Sequence, residues 1–445
     1  MFNKILSYKI FRIIFSLFLL TNIIEPRFNY NFDLIPFIHV SDLSYLKFFL
    51  IILLAFLIIP SKEYVNLFKE KHLRLLFFTL LLLIIICYIS SYFSEFQNVG
   101  FGLTNRIFLY FIILIICAAT VKYFEGAAAF ILKAFIYSNC IIITGSLLDF
   151  IFPEFHNILV LHFNRQEVIH SYVQIGTEKI MRPMGFISDS NLAAFSISFA
   201  LMLLLLNYKK FNKIFRVLFY ISGTFIFGML SSRSSLVMCV FCLIVFYLYT
   251  RIEKKELNLF VLIFIVFQLL TLQTYGRILS YFDKEKTGEE FSFGRPVIWN
   301  ASLNVFKENI LIGKGPGGFF EVSDSYIRNI LKEKRDLNID NPEKPDYHQI
   351  DKVNPHNIIL VALAETGITG FIFFIFLNAV FIIYLLKSKK HISFLFLIFI
   401  LFVSSLSNFA PYYKYYLLLC IIFCLLSTQN MKPALPAKNQ VILNN

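Results

Sequence analysis

Three arginines and one histidine lie at the ends of long apolar runs, where charged groups are costly. Arg182 stands in Met-Arg-Pro-Met-Gly before one run, and Arg233 separates two further runs within Ser-Ser-Arg-Ser-Ser. Arg295 opens a short amphipathic stretch, and His356 follows Pro355 where an apolar run resumes. Guanidinium groups bind phosphate oxygens through paired hydrogen bonds, and a neutral imidazole takes protons from hydroxyls. These residue types together predict an anionic substrate and a hydroxyl that a base activates.

Arg233 is the most informative of the four because apolar runs flank it closely on both sides. Ionisable residues at membrane depth usually mark functional sites. The alternative is an arginine whose guanidinium reaches out to lipid headgroups. The small serines on either side leave room for a ligand and favour the functional interpretation.

His356 is predicted near the first turn of a helix, because proline is favoured at helix starts. A helix N-terminus disfavours a cation, so we expect a lowered pKa and an imidazole able to act as a general base. The alternative is a histidine that caps the helix or faces headgroups. Glu365 follows at membrane depth, where it either orients His356 or an arginine, or has a plain packing or salt-bridge role.

The sequence indicates no other chemistry. We find no His, Asp and Glu residues at metal-ligand spacing, so we predict no metal and no other cofactor. The seven cysteines all lie within apolar runs, which predicts no disulfide framework. The pair Cys239 and Cys242 is interpreted as small packing residues on a helix.

The elements that position these residues are predicted to be transmembrane helices. The chain is 58% hydrophobic and only 16% charged, whereas soluble domains carry about 25% charged residues. The net charge of +13 comes from short basic clusters between the apolar runs. This pattern is typical of cytoplasmic membrane loops and excludes a nucleic-acid-binding face.

Twelve apolar runs are long enough to cross a bilayer, which predicts an all-α polytopic fold. The predicted spans are 7–24, 43–59, 73–93, 106–122, 128–152, 190–207, 213–230, 234–250, 257–274, 357–386, 392–409 and 412–428. The run at 357–386 is long for one span, so we expect a break near Gly367 and Gly370.

Alternate connectors carry the Lys and Arg clusters, which orients the spans. The basic connectors lie near 62–74, 122–133, 209–216, 251–255, 387–390 and 432–438. The first run has basic residues before it but no small-residue cleavage site after it, so we interpret it as an uncleaved helix. Both termini are therefore predicted to be cytoplasmic, with Arg182, Arg233, Arg295 and His356 on the outer face.

The predicted organisation has six parts. They are helices 1–5 in 1–152, an outer loop at 153–189, helices 6–9 in 190–274, a large outer loop at 275–355, helices 10–12 in 356–428 and a cytoplasmic tail at 429–445. Within the large loop, Pro296–Phe306 is predicted to be an amphipathic helix on the membrane surface or over the bundle. The glycines of 313–318 predict a turn, but no G-K-[ST] follows, so it is not a phosphate loop. Alternating charges and prolines predict a mobile stretch at 321–352.

These contexts together resemble the O-antigen ligase and polymerase family of bacterial envelope biosynthesis. The matching residues are Arg182-Pro-Met-Gly-Phe with Asp189-Ser-Asn-Leu192, Ser-Ser-Arg at 231–233, Gly294-Arg-Pro-Val-Ile-Trp299, Glu308-Asn-Ile-Leu-Ile-Gly-Lys-Gly-Pro-Gly-Gly318, His356-Asn357 and Glu365-Thr-Gly367. The resemblance covers about 180–375. The sequence departs from the family pattern at Ile310, where proline is frequent, and at Ser234-Ser235, where glycine is common.

The resemblance implies a fold like the metal-independent C-type glycosyltransferases, in a bacterial inner membrane. It implies a donor glycan on undecaprenyl diphosphate, an acceptor glycolipid and, as a partner, a chain-length regulator. Arg233 and Arg295 would bind the diphosphate, with Arg182 a further contact. His356 would activate the acceptor hydroxyl, with Asn357 and Glu365 in support.

Three functions are compatible with this interpretation. A repeat-unit polymerase and a ligase that joins the glycan to lipid A core differ only in their acceptor. We favour the polymerase, because polymerases of the family are more diverse and this sequence is divergent. A transporter or flippase for the same lipid-linked glycan is the alternative from another class, but we find no inverted repeat and no interruption at midplane.

Overall fold

The computed structural model describes residues 2–23, 32–35, 38–40, 44–58, 68–152, 172–175, 178–181, 190–230, 232–249, 252–271, 295–335 and 357–387, with Val65, Glu154, Pro183 and Gly185. The helices in this part of the chain are α1 (Phe2–Ile23), α2 (Ser44–Ile58), α3 (Lys71–Phe93), α4 (Gln97–Tyr123), α5 (Ala127–Ile151), α6 (Ser190–Leu206), α7 (Lys213–Leu230), α8 (Arg233–Tyr249), α9 (Lys254–Leu270), α10 (Arg295–Glu308), α11 (Gly318–Arg335) and α12 (Ile358–Lys387). A 3₁₀ turn, Tyr208–Lys210, joins α6 to α7.

The predicted spans coincide with helices wherever the structure describes them. Ten of the twelve correspond to α1–α9 and α12, and the predicted spans at 392–409 and 412–428 lie outside the described residues. Among the described residues, five helices are long and apolar enough to cross a membrane: Leu73–Phe93, Gln97–Tyr123, Ala127–Ile151, Lys213–Leu230 and Ile358–Ile383. The described part of the chain is thus a helical membrane protein, as predicted.

Two short hairpins depart from the all-α prediction. Strands β1 (Phe32–Ile35) and β2 (Ile38–Val40) pair antiparallel, as do β3 (Tyr172–Ile175) and β4 (Glu178–Met181). Both lie in connectors, and only two residues separate the strands in each. Local pairing of this kind satisfies backbone groups without a long apolar pattern, so it leaves little trace in the sequence.

The helical core centres on α6, in which nearly every side chain from Ala193 to Leu205 is buried. A helix that is apolar all round needs neighbours on every side. Helix α6 packs against α5, α7, α8 and α9, whereas α3 packs along both α4 and α12. Large aromatic side chains such as Phe77, Phe195 and Phe199 fill the interior.

A smaller unit is built from the large outer loop. Val297, Ala301 and Val305 of α10 pack against Phe319 and Ile327 of α11. The predicted helix over Pro296–Phe306 is therefore confirmed, and it lies against α11 and α12. The prediction of a mobile stretch is wrong for 321–335, which belongs to α11 because its apolar residues recur at helical spacing and bury one face. Residues 336–352 of that stretch lie outside the described part.

The predicted break in the long apolar run is also confirmed. Helix α12 is interrupted at Gly367, where φ is 63° and ψ is −168°. This backbone conformation is readily available only to glycine. The break divides α12 into a short N-terminal segment and a longer C-terminal one, and it frees main-chain groups for other partners.

Candidate functional site

The glycine-rich turn after α10 fills the break in α12. Four main-chain hydrogen bonds join the two segments: Lys314 N–H to Ala364 O at 2.9 Å, Gly315 N–H to Glu365 O at 2.9 Å, Ile368 N–H to Ile310 O at 2.7 Å and Thr369 N–H to Leu311 O at 3.3 Å. Groups that lose their helical partners at the break thus regain partners from the turn. We call this arrangement, residues 309–318 with 364–369, the clamp.

Two glycines make this close approach possible. At Gly313, where φ is +70°, an added Cβ would stand 2.5 Å from the Glu365 carbonyl oxygen. At Gly367 it would stand 2.5 Å from the Leu311 carbonyl oxygen. Any side chain at either position would push the two main chains apart.

Serines at the C-terminal end of α3 hold the clamp from a third side. Ser90 Oγ lies 2.5 Å from Ile312 O and 2.8 Å from Glu365 O, and it donates its single proton to these carbonyls. Ser94 Oγ donates to Lys314 O at 2.5 Å. The sequence analysis missed both, although serines four residues apart at the end of an apolar helix were a signal for an inter-helix contact.

Glu365 is a buried part of the clamp, with 4% of its surface exposed. The Gly317 main-chain N–H lies near its carboxyl group. This contact agrees with a packing role, one of the two alternatives left by the sequence. A role in orienting His356 or an arginine stays a prediction.

Most main-chain N–H groups of the turn are engaged within the protein. Besides the bonds from residues 314 and 315, Gly313 N–H donates to Asn309 O at 2.9 Å and Gly318 N–H to Gly315 O at 2.8 Å. Pro316 has no N–H. The turn therefore positions other elements of the fold, and its lack of a phosphate site stays a prediction.

The clamp aligns the two helices that carry predicted site residues. Ser302 Oγ of α10 donates to Leu360 O of α12 at 3.2 Å. Eight residues further along each of the two segments, Ile368 N–H donates to Ile310 O. Helices α10 and α12 therefore run in the same direction, with their N-termini at the same end. Arg295 begins α10, so this end carries Arg295 beside the start of α12.

Asn357 is the N-cap of α12. Its Oδ1 accepts hydrogen bonds from Ile359 N–H at 2.9 Å and from Leu360 N–H at 3.3 Å. His356 directly precedes this N-cap in the chain, and its own placement lies outside the described residues. Asn357 fixes the main chain directly next to it.

Arg233 is the first residue of α8, and nothing of its side chain is described. Ser232 and Ser235 are buried, and Ser232 Oγ donates to Ser235 Oγ at 3.1 Å. These two hydroxyls therefore bond to each other and shape the helix start. Helix α8 packs chiefly against α6, whereas α10 packs against α11 and α12. Arg233 and Arg295 therefore belong to different groups of packed helices.

Arg182 lies outside the described residues, but its neighbours Pro183 and Gly185 are buried. Gly185 N–H donates to Asp149 Oδ2 of α5 at 3.1 Å. Asp149 is 1% exposed and was missed by the sequence analysis. A single acid near the end of an apolar run was the available signal.

Comparison with known families shows which family this part of the chain resembles. Residues 217–375 match the sequence model of a family described as O-antigen ligase. This segment is similar to the O-antigen ligase family. Neither a search of curated proteins nor one of solved structures returned a match.

The O-antigen ligase segment runs from α7 to just beyond the break in α12. It includes Arg233, Arg295, His356, Asn357 and Glu365, whereas Arg182 precedes it. The family resemblance inferred from the motifs is therefore confirmed for this segment, and it supports a ligase- or polymerase-type role in O-antigen biosynthesis. Members of this family are glycosyltransferase-like enzymes. The roles of individual residues remain predictions.

Proposed function

We propose that this protein is an O-antigen repeat-unit polymerase, which transfers a glycan from undecaprenyl diphosphate to a sugar hydroxyl at the periplasmic face of the inner membrane. The observation that carries the proposal is the clamp within the O-antigen ligase segment. It sets the starts of α10 and α12 side by side, and these starts carry Arg295 and the residue that follows His356.

The proposed reaction is a displacement at the anomeric carbon of the donor glycan. The acceptor oxygen forms the new bond to this carbon, while the bond from the carbon to the diphosphate oxygen breaks and the electron pair leaves with undecaprenyl diphosphate. His356 takes the proton of the acceptor hydroxyl and passes it to water. Arg233, Arg295 and Arg182 bind the diphosphate and stabilise the charge that develops on it, without a metal ion.

The proposed orientation follows from the basic connectors. With both termini in the cytoplasm, the starts of α8, α10 and α12 face the periplasm. Helix α8 begins at Arg233, so its main-chain N–H groups add positive potential next to the guanidinium. Membrane lipids surround the bundle, and the polyprenyl tail of the donor would lie among the helices.

A ligase that transfers the glycan to lipid A core is the second candidate, and the description of the matching family favours it. We keep the polymerase because the motif departs from the family pattern at Ile310 and Ser234, and polymerases are the more diverse members. A chain-length regulator would be its partner. Deletion separates the two: core with a single repeat indicates a lost polymerase, and bare core with accumulated lipid-linked polymer indicates a lost ligase.

A lipid-linked glycan transporter is the alternative from another class. Transporters use broken helices whose free main-chain groups bind substrate. The break at Gly367 resembles such a site, but its main-chain groups bond to the turn. The clamp therefore supports an enzyme, in which the break is a structural joint.

The test is complementation of a deletion strain with His356→Ala and Arg233→Ala, followed by lipopolysaccharide banding. We expect loss of the ladder at normal protein level. His72→Ala and Arg74→Ala, at the opposite end of α3 from the clamp, are matched controls that should restore the ladder. Normal banding in both site variants would refute the catalytic proposal.

A further inference from the structure

Two lysines meet where α5 passes the turn between α6 and α7. Lys133 lies in the second turn of α5, and Lys210 is the last residue of the 3₁₀ turn. The Lys133 Nζ stands 5.8 Å from the ring centroid of Phe211, the residue directly after Lys210. Two different elements therefore bring two ammonium groups together. We call Lys133 and Lys210 the lysine pair.

The lysine pair lies at the opposite end of the bundle from the clamp. Helix α4 begins beside the clamp, because a Cβ added at Gly317 would meet the Val99 and Leu103 side chains. The chain enters α5 only after α4 has run to its other end at Tyr123. With the predicted orientation, this end of the bundle faces the cytoplasm.

The other basic groups of this region are neutralised by carboxylates, whereas the lysine pair is not. Lys209 Nζ lies 2.9 Å from Glu253 Oε1, and Arg216 Nε lies 3.4 Å from Glu256 Oε1. In the part of the chain that the structure describes, neither member of the lysine pair has such an ion pair. Two neighbouring like charges repel each other, so a bound anion would stabilise this arrangement.

Lys210 shows the cost of this arrangement. Its side chain is exposed at the surface of the bundle, but the surrounding protein removes part of its water. This desolvation, and after it the charge of Lys133, lower the pKa of the Lys210 ammonium group. Both effects disfavour the cation. An anion between the two ammonium groups would oppose both effects and favour the charged form.

Aromatic rings form the wall beside the lysine pair. Tyr137 lies one helical turn after Lys133, and its ring centroid stands 5.9 Å from that of Phe211 and 5.2 Å from that of Phe215, both edge to face. Half of the Tyr137 side chain is exposed. Tyrosines are enriched where a membrane protein passes from the acyl chains to the headgroups. The ring therefore indicates that the lysine pair lies at headgroup level.

An exposed apolar stripe begins next to these rings. Ile214, Leu218 and Ile221 recur at helical spacing on α7, and Ile214 and Leu218 are 69% and 61% exposed. Helix α7 is long and apolar enough to cross a membrane, so this stripe is suited to hydrocarbon chains. Two cations thus stand beside an apolar surface, which fits an amphiphile with an anionic head.

We propose that Lys133 and Lys210 bind the phosphodiester group of an anionic phospholipid, whose acyl chains lie along Ile214 and Leu218. Basic pockets between transmembrane helices on the cytoplasmic side bind headgroups of this kind. The lipid would join α5 to the turn before α7 and stabilise their contact. The inference does not depend on the proposed function, because the lysine pair is remote from the clamp and from Arg295.

The test is native mass spectrometry of the full-length protein in detergent, titrated with phosphatidylglycerol. The wild type should bind this lipid about tenfold more tightly than phosphatidylcholine, whose choline cancels the phosphate charge. Lys133→Ala and Lys210→Ala should each weaken the binding of phosphatidylglycerol about fivefold. Lys133→Arg and Lys210→Arg keep the charge and should stay within about twofold of the wild type.

Lys209→Ala is the matched control. It removes the same charge from the same turn, but Lys209 is engaged by Glu253, so the affinity should change less than about twofold. Equal losses in Lys209→Ala and Lys210→Ala would show diffuse attraction to the basic connector and overturn the proposal. Wild-type binding by both alanine variants of the lysine pair, or equal binding of the two lipids, would overturn it as well.

Thermal unfolding provides a second measurement on the same proteins. Phosphatidylglycerol should raise the Tm of the wild type and of Lys209→Ala, but not that of the variant that combines Lys133→Ala with Lys210→Ala. Without added lipid this double variant should melt like the wild type, because it loses no ion pair of the described structure. A Tm that rises equally with lipid in all three proteins would contradict the assigned site.

Competition distinguishes the sources of the phosphate group. Inorganic phosphate lacks acyl chains, and at equal concentration it should not displace phosphatidylglycerol. Displacement would assign the lysine pair to free phosphate and overturn the lipid proposal. Undecaprenyl phosphate should bind no more tightly than phosphatidylglycerol, and clearly tighter binding would assign the site to the polyprenyl carrier instead.

Discussion

Gly313 lies directly against the main chain of Glu365: a Cβ at position 313 would stand 2.5 Å from the Glu365 carbonyl oxygen. Its φ of +70° is also one that L residues rarely adopt. Gly313→Ala should therefore open the clamp and lower the free energy of unfolding by about 2–4 kcal/mol. Thermal unfolding of the purified protein in detergent measures the change.

Gly102 provides the control for this substitution. It lies within α4, and no atom lies within 4 Å of a Cβ added there. Alanine is favoured over glycine inside a helix by about 1 kcal/mol, so Gly102→Ala should be as stable as the wild type or more stable. Equal melting of Gly313→Ala and the wild type would show that the two main chains are not in close contact.

The contribution of each serine hydroxyl in the clamp to the stability of the protein should be measurable separately. Ser90→Ala removes the described hydroxyl donor to Ile312 O and should destabilise the protein by about 1 kcal/mol. Ser94→Ala should cost about as much through Lys314 O. Ser222→Ala is the matched control, since among the described residues Ser222 Oγ bonds within its own helix, to Leu218 O. If all three variants melt alike, the hydroxyls of α3 do not hold the clamp.

Glu365→Gln distinguishes the two roles considered for this residue. Glutamine keeps an acceptor for the Gly317 N–H, so a packing role predicts a stable protein with transfer within about twofold of the wild type. Glu365→Leu leaves that N–H without a partner and should cost about 1–3 kcal/mol of stability. Measuring both unfolding and transfer is essential. A Gln variant that folds normally but loses transfer would instead indicate a carboxylate that orients His356 or an arginine.

Asn357 should matter through its capping side chain. Asn357→Ala removes the acceptor for Ile359 N–H and Leu360 N–H, which should cost about 1 kcal/mol and loosen the main chain beside His356. Asn357→Asp keeps the cap and should restore both stability and the lipopolysaccharide ladder. Asn300→Ala, at an exposed position of α10, should leave both unchanged. An Ala variant with wild-type stability would contradict the capping role.

The elements of this fold were predictable where hydropathy or glycine determines them. Apolar length located the helices, and Gly367 within an overlong apolar run predicted the break. The turn at Gly313 was predictable for the same reason, since only glycine tolerates such backbone angles. Apolar length and the backbone freedom of glycine are properties of neighbouring residues, so a single sequence reveals them directly.

The partners of those elements were not predictable. The clamp joins main-chain groups of the turn to main-chain groups of α12, and such bonds leave no pattern of side-chain types. Helix α11 was mistaken for a mobile stretch because its many charges obscured the helical spacing of Phe319, Ile327 and Ile330. Asp149 was missed because one acid in an apolar run acquires a meaning only when Gly185 is seen beside it.

The serines of α3 lie outside residues 217–375, whereas their carbonyl acceptors in the turn and in α12 lie inside. The boundary of the family segment is therefore not a boundary of folding. A chimaera that exchanges only this segment between two relatives would separate each serine hydroxyl from the carbonyl that accepts its hydrogen bond. Grafts intended to change glycan choice should carry the helix Lys71–Phe93 along with the segment.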